Sequence, residues 1–213
     1  MTLDTPLRLL KDRLVAPLAA RSPLSPTALT GLGLAAGLAC AASMAAPHPS
    51  TAVSLGLWAL NRLLDGLDGA VARTRGAASD FGSIADIVAD FTVYAAVPLG
   101  VAARASGGDH GGGSTASLWA TVAALEGVFF VNAASLFCTA AVVEKRGRAG
   151  RPEVTGVTLC EGWVGGTETA VVYAALVGRL GGDAAVRPVC VAFGVAVAAT
   201  VVQRLVWAHK HLT

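Results

Sequence analysis

The sequence predicts an all-α integral membrane protein: six transmembrane helices preceded by an amphipathic amino-terminal interfacial helix. Three observations predict it. Only 14% of the 213 residues are charged and 54% are hydrophobic, whereas an average soluble domain carries about 25% charge. Apolar stretches of spanning length recur along the whole chain. The polar breaks between them are short, and the basic residues lie near the ends of the apolar stretches. The apolar residues are chiefly Ala, Val, Leu and Gly, with aromatics at 6%, a composition that favours close helix packing in lipid.

The first element is amphipathic. Leu3, Leu7, Leu10 and Leu14 recur at helical spacing while Arg8, Lys11, Asp12 and Arg13 take other faces, the pattern of a helix lying on the cytoplasmic leaflet. A short soluble helix is the alternative reading of these residues. Residues 1–24 form this helix and its linker, residues 25–213 a six-helix bundle, and the whole a single domain with no internal repeat. No cleavable signal peptide is expected.

A helix needs roughly 20 apolar residues to span, and Thr27 to Ala46 supplies them without a charge. Further spans are expected at Thr51 to Ala72, Gly82 to Ala103, Ser117 to Val143, Val157 to Gly178 and Ala184 to Val206. Proline, glycine and charge mark the breaks. With the amino terminus inside, 13 of the 16 basic residues fall on the cytoplasmic side; Arg104, Arg179 and Arg187 fall outside. The bias predicts a multi-pass cell-membrane protein with both termini cytoplasmic. The formal charge of +2 is too balanced for nucleic-acid binding. Cys40, Cys138, Cys160 and Cys190 stand singly, without the pairing of a zinc site.

The second and third spans carry acids. Each carboxylate at membrane depth costs on the order of 2.5 to 3.5 kcal/mol, so Asp65, Asp68, Asp86 and Asp90 require compensation. Spacings of three and four put each pair on one helix face. The antiparallel connection through residues 73–80 brings both pairs near the same membrane surface. An all-oxygen cluster suits hard cations, Mg2+ or Mn2+, rather than zinc. Two such ions about 3.5–4 Å apart clamp a diphosphate during in-line displacement. Gly69 and Ala72 leave space beside the acids, and the Arg73 guanidinium suits phosphate oxygens. The bland reading is that Arg62 and Arg73 merely neutralise the acids.

Read together, Asp65-x2-Asp68-Gly69-x2-Ala72-Arg73-x8-Gly82-x3-Asp86-x3-Asp90 resembles the signature of the CDP-alcohol phosphotransferases, also called CDP-alcohol phosphatidyltransferases, with every fixed position and spacing kept. A Pro26-x3-Thr30 entry to the first span is also similar to many members. The resemblance implies a homodimer with a polar cavity open to the cytoplasm. It implies that Asp65, Asp68, Asp86 and Asp90 hold two metals, that Asp90 is also the catalytic base, and that Gly69, Ala72, Arg73 and Gly82 surround the cytidine diphosphate. The implied reaction transfers a substituted phosphate from a CDP-alcohol donor, CDP-diacylglycerol or a small CDP-linked alcohol, to an alcohol acceptor with release of CMP, in phospholipid biosynthesis among membrane lipids.

For the acceptor, the candidates are Asn132 in the fourth span, Arg148 and Arg151 in the loop after it, and Glu161 and Glu168 in or near the fifth. Interhelical hydrogen bonding explains Glu161 and Glu168 equally well, and Arg148 and Arg151 also read as topology signals. Gly33-x3-Gly37 and Gly162-x3-Gly166 permit close helix approach, inside the bundle or across a dimer. A divalent-cation transporter is the competing function, because intramembrane carboxylates also line ion pathways.

Overall fold

The computed structural model describes residues 17–107, 112–146 and 162–212. The amphipathic segment expected at residues 1–16 lies outside them, as do Arg148, Arg151 and Glu161; residues 17–21 are helical. Among the described residues there are six long or medium α-helices and no strand. They are α1 Pro26–Ala45, α2 Thr51–Thr74, α3 Asp80–Ser106, α4 Gly112–Lys145, α5 Gly166–Val177 and α6 Val186–Leu212. A 3-10 turn, Asp183–Ala185, leads into α6.

Serines start the first three helices. Ser25, Ser50 and Ser79 each accept a backbone N–H from the following turn, and Pro26 occupies the first turn of α1, the places where an N-terminal donor needs a partner or proline costs nothing. Four helices, α1, α3, α4 and α6, are long and apolar enough to cross a membrane. Charges within α2 and the twelve-residue length of α5 keep those two outside that criterion. Outward faces are apolar, with Phe130 77% exposed and Val171, Val195 and Val202 likewise exposed, as suits a lipid surround.

Helix directions alternate. Gly33 packs on α2 at Asn61 to Asp65, while Cys40 reaches the Ser54 carbonyl, so α1 and α2 are antiparallel. Gly37 meets Val93, and Ala41 meets Gly100, so α1 and α3 are parallel. Tyr94 stands beside Gly166, and Arg104 bonds the Leu176 and Val177 carbonyls, which makes α5 parallel to α3. Leu125 meets Gly194, and Asn132 meets Arg204, which makes α4 parallel to α6. The small residues therefore act inside the bundle: a Cβ at Gly37 would lie 2.4 Å from Val93 Cγ2, and one at Gly162 would lie 2.2 Å from Thr200 Cγ2.

An aromatic core joins the two halves. Tyr173, fully buried, packs on Trp58, Tyr94, Phe129 and Phe193. Its hydroxyl donates to the Tyr94 carbonyl at 2.9 Å.

The fifth helix departs from expectation. A span was expected from Val157, yet residues 162–165 are irregular and the helix begins at Gly166. Side chains claim the amides there: Gln203 Oε1 accepts from Trp163 N–H, Thr200 Oγ1 from Val164 N–H, and Glu168 Oε2 from Gly165 N–H. Arg104 and Arg204 are 8% and 4% exposed, and both, like Arg62, bond within the bundle.

Candidate active site

The start of α1, the second half of α2 and the start of α3 lie at one end of the bundle. Between them is a small open cleft, lined by Thr30, Gly33 and Leu34 of α1, Asn61, Asp65 and Asp68 of α2, and Asp86, Ala89 and Asp90 of α3. The four aspartates thus face one space. The helices that carry them are held by α1, on which both pack, and the cleft is the gap left between them. Gly37 lets α1 approach α3 closely at Val93. Arg75, after α2, donates to the carbonyls of Leu24 at 2.8 Å and of Ser22, closing this end of the bundle.

Three of the carboxylates have distinct settings. Asp68, 5% exposed, accepts from Thr30 Oγ1 at 2.6 Å and from Gly69 N–H at 2.5 Å. Asp90 accepts from Arg62 Nη2 at 2.8 Å, and Tyr94 Oη lies 3.5 Å from its other oxygen. Asp65 lies 4.0 Å from Arg62 Nη1. Arg62 itself is anchored by Asn61, whose Oδ1 accepts from Nε at 2.7 Å and whose Nδ2 donates to the Gly33 carbonyl at 2.8 Å.

Among the described residues, no three acidic, histidine or cysteine side chains converge closely enough to hold a metal ion in this conformation. Asp68 is turned to Thr30 and the backbone, and Asp90 and Asp65 to Arg62. The donor chemistry nevertheless fits a hard divalent cation: four carboxylates and a hydroxyl, all oxygen, on one cleft.

Gly69 carries the Arg73 side chain across it, with Nη1 3.1 Å from where a Cβ would stand. Ala72 and Arg73 follow within a turn, and Gly82 opens α3, its N–H bonded to Ser79 Oγ at 3.1 Å. These four flank the cleft without lining it. Of the acceptor candidates, Asn132 does not reach the cleft: its Oδ1 accepts from Arg204 Nη1 at 3.0 Å on the α4–α6 seam. Glu168 folds back to cap its own helix at Gly165, although that helix start stands beside Tyr94, with a Gly166 Cβ placed 3.6 Å from its hydroxyl.

Sequence reasoning missed Thr30 and Asn61 as cleft residues and Tyr94 beside Asp90, and took Arg62 for a neutralising or topology charge. The available signal was Arg62 three residues before Asp65, one helical turn away.

The sequence model of the family described as CDP-alcohol phosphatidyltransferase matches residues 24–202. The chain is also similar to the Inner membrane protein YnjF of Escherichia coli (strain K12), 44% identical over 77 residues. That match spans 36% of each protein, so this chain covers little more than a third of the length of that relative. No solved structure matches the chain.

Proposed function

This chain belongs to the CDP-alcohol phosphatidyltransferase family, and from that premise we propose that it transfers a substituted phosphate from a CDP-alcohol, CDP-diacylglycerol in the first instance, to an alcohol acceptor in phospholipid biosynthesis. The observation that carries the proposal is that Asp65, Asp68, Asp86 and Asp90, drawn from two helices, line one cleft. The reading extends to a six-span membrane domain that counts α2 and α5 as spans, a cytoplasmic cleft mouth, an amino-terminal segment on the cytoplasmic leaflet, and a homodimer.

Two divalent cations, Mg2+ or Mn2+, held by the four aspartates would supply charge neutralisation for the diphosphate and for the oxygens entering and leaving phosphorus. The chain's own residues do the rest. Asp90, at the wall facing Arg62 and Tyr94, takes the acceptor's hydroxyl proton. The acceptor oxygen then bonds to the phosphorus bearing the donor's alcohol group, and the bond to the CMP oxygen breaks, CMP leaving with the electron pair. Arg73 offers its guanidinium fork to the diphosphate. Gly69 and Ala72 leave the helix surface bare for the nucleotide, and Gly82 does the same at the start of α3. Asp68, fixed by Thr30, keeps one wall of the cleft in place while the other wall responds to ligand.

Purified protein incubated with CDP-diacylglycerol, Mg2+ and separate alcohols, among them glycerol 3-phosphate, inositol phosphate and serine, is expected to release CMP with one of them. Mass spectrometry of the lipid formed identifies that acceptor. CMP release that survives Asp86→Asn or Asp90→Asn undiminished would sink the assignment, as would metal flux across proteoliposomes without donor.

A further inference from the structure

Arg62 sits among the cleft acids in a frame more exacting than charge neutralisation needs. Its Nε is fixed by Asn61 Oδ1 at 2.7 Å, its guanidinium lies 5.0 Å from the Trp58 ring centroid and 5.5 Å from that of Tyr94, and Nη2 meets Asp90 Oδ1 at 2.8 Å. Asn61 in turn donates to the Gly33 carbonyl. Asn61 thereby ties α2 to the α1 backbone, and the guanidinium it orients ties α2 to the Asp90 carboxylate of α3. A flexible ammonium could not hold these directions at once.

We propose that Arg62 is the internal counter-ion of this cleft, a positioning residue that holds Asp90 until a divalent cation takes over that carboxylate. The inference rests on the metal-dependent transfer proposed above. A guanidinium bonded to an Asp90 oxygen competes with any cation for it, and its charge repels an ion arriving beside it. With Arg62 in place the acids share a positive charge before any ion binds, which lowers the cost of carrying four carboxylates at membrane depth. Once displaced from Asp90, the guanidinium stays anchored by Asn61 at the cleft wall.

The test is calorimetric Mn2+ titration of the detergent-purified full chain without donor, alongside kinetics of CMP release. Arg62→Gln is expected to bind Mn2+ about tenfold more tightly because a like charge is gone. Its kcat is expected to fall about a hundredfold with KM for the donor little changed, because Asp90 loses its guide. Arg62→Lys keeps the charge, so its Mn2+ affinity stays within about twofold of wild type, but it shares the loss of kcat. Should neither variant fold, wild type carries the test: Mg2+ alters the tryptophan fluorescence as the guanidinium shifts over Trp58, and Trp58→Phe abolishes that change. Unaltered or weaker Mn2+ binding in folded Arg62→Gln, wild-type kcat in either variant, or Mg2+ binding without a Trp58-dependent signal overturns the inference. A wild type that binds neither Mn2+ nor Mg2+, even with CDP present, overturns the transfer reading instead.

Discussion

Two carboxylates of the cleft, Asp68 and Asp90, are restrained by different chemistry. Asp68 is buried and takes a hydroxyl and a backbone N–H, whereas Asp90 takes a guanidinium. Thr30→Val keeps the volume of the side chain but deprives Asp68 of its 2.6 Å bond. That change is expected to lower stability by about 1–2 kcal/mol and CMP release about tenfold, read by thermal melting in detergent and by the transfer assay. Asp90→Asn, by contrast, removes one of four clustered negative charges. Activity is expected to fall at least about a thousandfold with no loss of melting temperature, a separation that marks a group used for chemistry and not for folding. Gly69→Ala gives a third comparison. Its added Cβ meets only the mobile end of Arg73, so stability is expected to hold within about 0.5 kcal/mol and any loss of activity reports crowding of the donor. The acids and their spacing were legible in the sequence because helical periodicity alone puts each pair on one face. The partners were not. Whether Arg62 serves the cleft depends on Asp90 and Tyr94 arriving from α3, and no local pattern around residue 62 encodes that encounter.

Helices pack here through small residues, and each glycine meets a different neighbour. A Cβ at Gly100 would lie 2.5 Å from the Ala41 carbonyl oxygen and 3.0 Å from its Cα, both backbone atoms that cannot swing aside. At Gly33 the nearest atom is Leu64 Cβ at 3.5 Å, an ordinary contact. Gly100→Ala is therefore expected to destabilise by about 2–3 kcal/mol by pushing α1 from α3. Gly33→Ala is expected to change melting by less than about 0.5 kcal/mol. Equal losses from the two would show that the α1–α3 contact does not set the bundle. The helices with continuous apolar runs were readable from sequence within a few residues. Where reading failed, at α5, the cause is non-local: the amides at Trp163 and Val164 are taken by Gln203 and Thr200, some forty residues away, so an apolar pattern that looks helical is pulled into an irregular strap. Glu168 was visible as an acid at the right depth. Its role as cap to Gly165 became apparent only once the helix start was fixed.

At the scale of the molecule the question is how many times the chain crosses the bilayer, because α2 is charged and α5 spans only about 18 Å, against roughly 30 Å of hydrocarbon. We propose six passages, and the helix contacts support that count. Arg104, at the end of α3, bonds the last carbonyls of α5 and also Asp183, so α5 ends level with α3. Starting beside Tyr94, α5 covers the half of the bundle that α3 covers after that residue, and runs the same way. From that level α6 returns parallel to α4. The turn at Gly181 and Gly182 therefore belongs on the side where α3 ends, opposite Arg146 and the cleft. The charge bias read from the sequence points the same way once the bundle-internal Arg62, Arg104 and Arg204 are set aside: of the remaining basic residues eleven are expected on the cytoplasmic side and two, Arg179 and Arg187, on the other. Alkaline phosphatase inserted at Gly181 is accordingly expected to be active from outside, and inserted at Gly76 or fused after Thr213 to be inactive, with a fluorescent protein giving the reverse. If α5 failed to cross, the Gly181 insertion would be silent and the carboxy-terminal fusion active. If neither α2 nor α5 crossed, the Gly76 insertion would become active, the pairs of aspartates would lie on an external face, and a donor made in the cytoplasm could not reach them.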